Sequence, residues 1–151
     1  MQLSKKFEVS DNYKTYYLFG GSQYDPYRKN AIFLSDGTMI TNYQFYPSAQ
    51  GYKDNQMQGY VGYFLIDLNG TSRPNKWGRD IFEFFVGNNG IVYPNGSIAV
   101  AEVRDPNNIN YYYWKTATDP SRTCNDDGRS YGWSCTARVL ETGNMDYTDI
   151  D

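Results

Sequence analysis

The chain has 151 residues, a formal net charge of −3 and no histidine. Its calculated pI is about 4.9 and it carries no run of five like charges, so nothing in it supplies the clustered basic surface that nucleic acid requires. Without histidine it lacks the commonest general base and transition-metal ligand, and its two cysteines are too few for a thiolate zinc site.

The length suits a single domain over residues 1–151. Mean hydropathy is −0.72 even though 40% of residues are hydrophobic, because much of the apolar share is tyrosine. Aromatic enrichment favours strands, and abundant Gly, Asn and Asp supply turns. The expected class is α+β, predominantly β, built on an antiparallel sheet.

In chain order, Tyr13–Phe19 reads as an aromatic strand stopped by Gly20-Gly21. Asn30–Leu34 and Thr38–Phe45 flank Asp36-Gly37 and predict a hairpin, since Gly takes positive φ without penalty. Residues 47–58 are polar and irregular, which predicts a loop. Tyr60–Ile66 and Ile81–Val86 are apolar runs that predict strands. Between them lies DLNGTSRPNKWGRD, residues 67–80. Ile91–Tyr93 predicts a short strand between two turns, and Ser97–Val103 and Asn110–Lys115 predict two more. Ser134–Glu141, ended by Thr142-Gly143, is the best helix candidate.

The 67–80 loop places Asp67, Asn69, Asn75 and Asp80 among three backbone-bending residues, Gly70, Pro74 and Gly78. Short oxygen-bearing side chains have two uses there. They bond the loop's own amides, or they converge on a cation such as Ca2+. The pattern is not that of an EF-hand, and calcium would need further oxygens to reach its six to eight ligands. The reading favours amide bonding by Asp67 and Asp80 and keeps Ca2+ as the alternative. The sequons Asn69-Gly-Thr71 and Asn95-Gly-Ser97 read as turns.

The same segment carries a resemblance. DLNGTSRPNKWGRDIF resembles the D-x-N-G-x-x-x-P-N-x-x-G-x-D-x-F segment of bacterial prepilin-like proteins, the minor pilins and pseudopilins of type IV pilus and type II secretion systems. Ile91-Val-Tyr-Pro-Asn-Gly96 resembles the family's I-Y-P-x-G step. Cys135-Thr-Ala-Arg-Val-Leu140, then Gly143 and Met145-Asp-Tyr147, resembles its C-terminal ending. The matches keep the family's order from about Phe33 to Tyr147.

The resemblance implies a pilin-like globular domain whose long apolar N-terminal helix is truncated here. Residues 1–10 hold no apolar stretch near the ~20 residues of a membrane helix. Residues 2–10 are then a remnant of that helix's last turn. The implied function is a structural or assembly subunit of a pilus or secretion filament. Its partners would be other pilin or pseudopilin subunits and, through the missing helix, the inner membrane. Its implied location is the periplasm or cell surface, with inner-membrane anchoring before assembly. Cys124 and Cys135 stand free or close one loop; the even count, the turn-rich sequence between them and the surface-protein resemblance favour a disulfide.

A carbohydrate-binding or adhesive β-domain is the alternative, because aromatic faces bury sugar C–H surface. An enzyme is not expected. There is no nucleophile with a histidine to activate it, and Glu83, Glu102 and Asp80 are the only acids near strands worth inspecting.

Overall fold

Asp36 and Gly37 turn the chain where the sequence predicts. Gly37 adopts φ +92°, and the Asp36 carboxylate accepts a hydrogen bond from the Thr38 amide at 2.9 Å. The turn joins β4 (Ala31–Phe33) to β5 (Met39–Phe45), antiparallel with Ile32 opposite Ile40. The structure, a computed structural model, describes residues 5–7, 15–16, 18–19, 23–24, 31–45, 60–126 and 128–148.

Six strands form one antiparallel sheet in the order β1-β4-β5-β6-β7-β8. The remaining members are β1 (Lys5–Phe7), β6 (Tyr60–Asp67), β7 (Ile81–Gly87) and β8 (Val92–Pro94). A separate two-stranded pair joins β2 (Thr15–Tyr16) to β3 (Gln23–Tyr24). Three helices follow: α1 (Ile98–Arg104), α2 (Ile109–Tyr112) and α3 (Cys135–Thr142). The class is α+β and mostly β.

Side chains alternate across a strand, so register assigns the two faces. Leu65, facing Thr41 and Glu83, and Phe85, facing Tyr63 and Tyr93, lie on one face. Leu65, Thr41, Phe85, Ile81 and Met39 are all fully buried there. Val100 of α1 packs against Tyr60 and Phe85, and Trp77 against Leu65 and Ile81. A second cluster gathers Leu18, Trp114, Ala137, Tyr147 and both cysteines. The cysteines form a Cys124–Cys135 disulfide with Cα atoms 5.0 Å apart.

Three predicted elements differ. The alternation in Ser97–Val103 has a strand's period, yet Ile98–Arg104 is helical. The Ser97 hydroxyl accepts from the Val100 amide at 3.2 Å, the bond of an N-cap. Ala99 and Ala101 are strong helix formers, and Pro106 lies just beyond the helix. The aromatic run 110–115 is not a strand either. It begins in the single helical turn of α2, because its rings go to separate partners. The Tyr111 hydroxyl bonds Asp119, whereas those of Tyr113 and the Trp114 indole bond Glu141. Finally, residues 5–7 pair as a strand with β4, where a helix remnant over 2–10 was expected. That pairing gives the backbone groups of β4 an edge partner. The rest of 2–10 and the polar loop 47–58 lie outside the described residues.

Predicted Tyr13–Phe19 contributes the strand Thr15–Tyr16; Leu18 and Phe19 instead donate their amides to Tyr131 and Ser130 carbonyls. The C-terminal helix matches its prediction within one residue at each end. Gly143 takes the left-handed conformation that ends it, and its amide donates to the Val139 carbonyl at 2.8 Å.

Candidate functional site

The face of the sheet opposite the core is apolar as well. Register sets Ile32, Ile40, Ile66 and Phe82 opposite one another in a row across β4, β5, β6 and β7. With strands spaced ~4.8 Å, that row is about 14 Å long. A second row runs Phe64, Phe84, Pro94, and the Phe64 and Phe84 rings stack at 5.4 Å. Phe82 is 7% exposed, but Ile32, Ile40, Phe64, Ile66 and Phe84 are only half-buried.

Helix α3 walls one end of this face. Its first turn is fixed to the edge of the sheet, where β8 stops pairing. The Glu83 amide donates to the Thr136 hydroxyl at 2.9 Å, and the Ala137 amide donates to the Asn95 carbonyl at 3.0 Å. The sheet and the helix enclose a groove of about 190 Å³ lined by Ile66, Leu68, Phe82, Phe84, Thr136, Val139 and Leu140. Leu68 is 50% exposed and Leu140 is 61% exposed.

The 67–80 loop closes between the strands that carry the face. The Leu68 amide donates to the Asp80 carbonyl at 2.9 Å, and Asp67 pairs in register with Ile81. Asp67, fully buried, accepts from the Asn69 amide at 3.3 Å; Asp80 accepts from the Lys76 amide at 3.0 Å. Each carboxylate is thus turned to an amide of its own end of the loop. The side-chain carbonyls of Asn69 and Asn75 are buried without a hydrogen-bond partner, and Asn75 sits at φ +49°. Among the described residues, no three His, Cys, Asp or Glu side chains gather as metal ligands do. The contacts present are those of the amide-bonded loop; Asn69 and Asn75 are the oxygens left over for a cation.

The remaining sequence candidates occupy different neighbourhoods. Glu83 points to the core face, where its carboxylate accepts from the Asn95 amide group. Burial pushes its carboxyl up, against Arg104, the Asn95 bond and Arg122. Glu102 is exposed on α1. Asn95 is 3% exposed and bonded to Glu83, so this sequon is a structural turn.

Most described aromatic rings meet other rings. Tyr60 meets Phe85 and Tyr93, and Trp133 meets Trp77 and Tyr131. The Arg138 guanidinium lies over Tyr147 at 4.5 Å and over Trp114 at 5.4 Å, and it donates to the Cys124 carbonyl at 2.7 Å. The arginine thereby ties α3 to the disulfide loop and to the C-terminal turn 146–148.

The outward row escaped the sequence reading, which took Ile81–Val86 only as an apolar run that predicts a strand. The missed signal is that Ile81 and Phe85 are apolar as well as Phe82 and Phe84. A strand apolar on both faces needs cover on both.

Among the described residues no helix is long and apolar enough to cross a membrane. Compared with protein-family models, curated proteins and solved structures, the chain has no significant match.

Proposed function

We propose that this chain is a non-catalytic assembly subunit of a bacterial filament, of the minor pilin or pseudopilin kind, and that its outer sheet face receives an apolar helix preceding Lys5 in the native polypeptide. The observation that carries the reading is the apolar row Ile32–Ile40–Ile66–Phe82, half-buried except for Phe82, ending at α3. Its ~14 Å span seats one helix of 10–12 Å diameter, not two. β1 is the edge strand of the sheet, and its Lys6 pairs in register with Ile32, the first residue of this row. The ordered sequence resemblance supplies the identity of the occupant.

In this reading the helix carries the subunit to the inner membrane and later into the filament with its sister subunits. The globular part stays on the periplasmic or outer side, where a disulfide forms.

The test is crosslinking. A photoreactive residue at Ile40 or Phe84, in a chain carrying an upstream apolar helix, should crosslink to that helix. A photoreactive residue at exposed Glu102 should not. Crosslinks from Glu102 alone, or none from the sheet face, would overturn the assignment.

A further inference from the structure

The core-face side of the sheet carries two arginines, Arg104 and Arg122, whose Nε atoms are left without a hydrogen-bond partner. Arg104 ends α1, and Arg122 follows the turn at Asp119. The Arg104 guanidinium lies over Phe85 at 4.9 Å and over Tyr112 at 5.5 Å. The Arg122 guanidinium lies over the same Tyr112 ring at 5.1 Å. The Nε of each is buried and makes no hydrogen bond.

The acids in the neighbourhood, Glu83 and Asp119, lie within electrostatic reach of these arginines but take their hydrogen bonds from uncharged donors. Glu83 takes the Asn95 side chain; Asp119 takes the amide and hydroxyl of Ser121 and the Tyr111 hydroxyl. Burial, then the proximity of Arg122, pushes Arg104 down, against the nearby Glu83, Tyr112 and Tyr60. Aromatic faces attract a guanidinium, but they accept no in-plane N–H bond. A buried donor without a partner requires an explanation, and an anion is one.

We propose that Arg104 and Arg122, gathered over Tyr112, form a binding site for a small oxyanion of carboxylate or phosphate type. The planar guanidinium fork matches two oxygens of such a group, and ring stacking fixes the forks beforehand. Both arginines and Tyr112 are half-buried and Tyr111 is exposed, so the cluster opens to solvent. This site does not depend on the filament reading.

The test uses isotope-labelled protein titrated separately with sodium acetate and sodium phosphate, chloride holding ionic strength constant. The arginine Nε–Hε resonances of Arg104 and Arg122 should shift together and saturate at millimolar anion. The resonance of exposed Arg79 should not. Arg122→Lys should weaken binding by about tenfold, since it keeps the charge and loses the fork; Arg122→Gln should abolish saturation. Saturation by one anion alone names its source as carboxylate or phosphate. Shifts that never saturate, match those of Arg79, or persist unchanged in a folded Arg122→Gln or Arg122→Lys protein would overturn the proposal.

Discussion

The Thr136 hydroxyl accepts its hydrogen bond from the Glu83 amide across 53 residues of sequence. This single bond sits where β8 ceases to pair with β7, and it replaces a ladder bond with a side chain. Through it the wall of the groove is fixed to the sheet. Thr136→Val keeps the shape and removes the acceptor, leaving a buried amide unpaired. The variant should lose roughly 1–3 kcal/mol in denaturant unfolding. Thr136→Ser, which keeps the hydroxyl, should lose less.

The disulfide anchors the start of α3, and both sulfurs are fully buried. Unreduced protein should take up no alkylating reagent by intact mass. Cys124→Ser should lower stability by ~2–4 kcal/mol, the range for closing a short loop. Two alkylatable thiols in unreduced protein would contradict the pairing.

Asp67 is buried at the root of the loop and bonds the Asn69 amide. Asp67→Ala should cost about 1–3 kcal/mol, because buried loop donors lose a charged acceptor. The amide-bonded loop predicts a melting temperature unchanged by millimolar Ca2+ or by chelator. A rise with Ca2+ that Asn69→Ala or Asn75→Ala abolishes would instead assign the leftover carbonyls to a cation.

Much of this architecture is legible in the residues. Asp36-Gly37 gives its turn, the two apolar runs give β6 and β7, and Gly143 gives the end of α3. The loss of legibility has physical causes. Ser97 announces a helix, but Ile98-Ala-Val-Ala alternates like a strand, and the cap bond to Val100, with the helix-forming alanines, decides between them. In Tyr111-Tyr-Tyr-Trp114 local propensity points to a strand. The partners that override it, Asp119, Arg104, Arg122 and Glu141, lie up to 28 residues away. The outer row needs register, because no single strand shows that Ile32, Ile40, Ile66 and Phe82 line up.

Asp119 predicts an acid response. Its bonds from the Ser121 hydroxyl at 2.6 Å and amide at 2.8 Å hold its carboxyl below the ordinary 3.8, with the Tyr111 hydroxyl and Arg122 adding less. A depressed folded-state value means that the ionised form stabilises the fold. The contribution is complete above 3.8 and fades as pH falls through the depressed value. Wild-type protein should therefore lose more stability than Asp119→Asn as pH falls below 3.8. The effect is small, since the group is partly solvated. Parallel stability profiles for the two proteins would refute it.

Leu140 separates folding from docking. At 61% exposure it contributes little to the isolated fold, and it stands on the helix that walls the groove. Leu140→Ser should unfold within about 0.5 kcal/mol of wild type, as surface substitutions do. Covering an exposed leucine recovers roughly 1.5–3 kcal/mol. The same variant should therefore weaken docking of the upstream helix, measured with that helix supplied as a separate peptide, by roughly 10- to 100-fold. Phe84→Ser should do the same from the sheet side of the groove, at a greater cost in stability because Phe84 is half-buried. Equal helix affinity in wild type and Leu140→Ser would place the docking surface elsewhere, because no ligand that fills this groove leaves Leu140 uncovered.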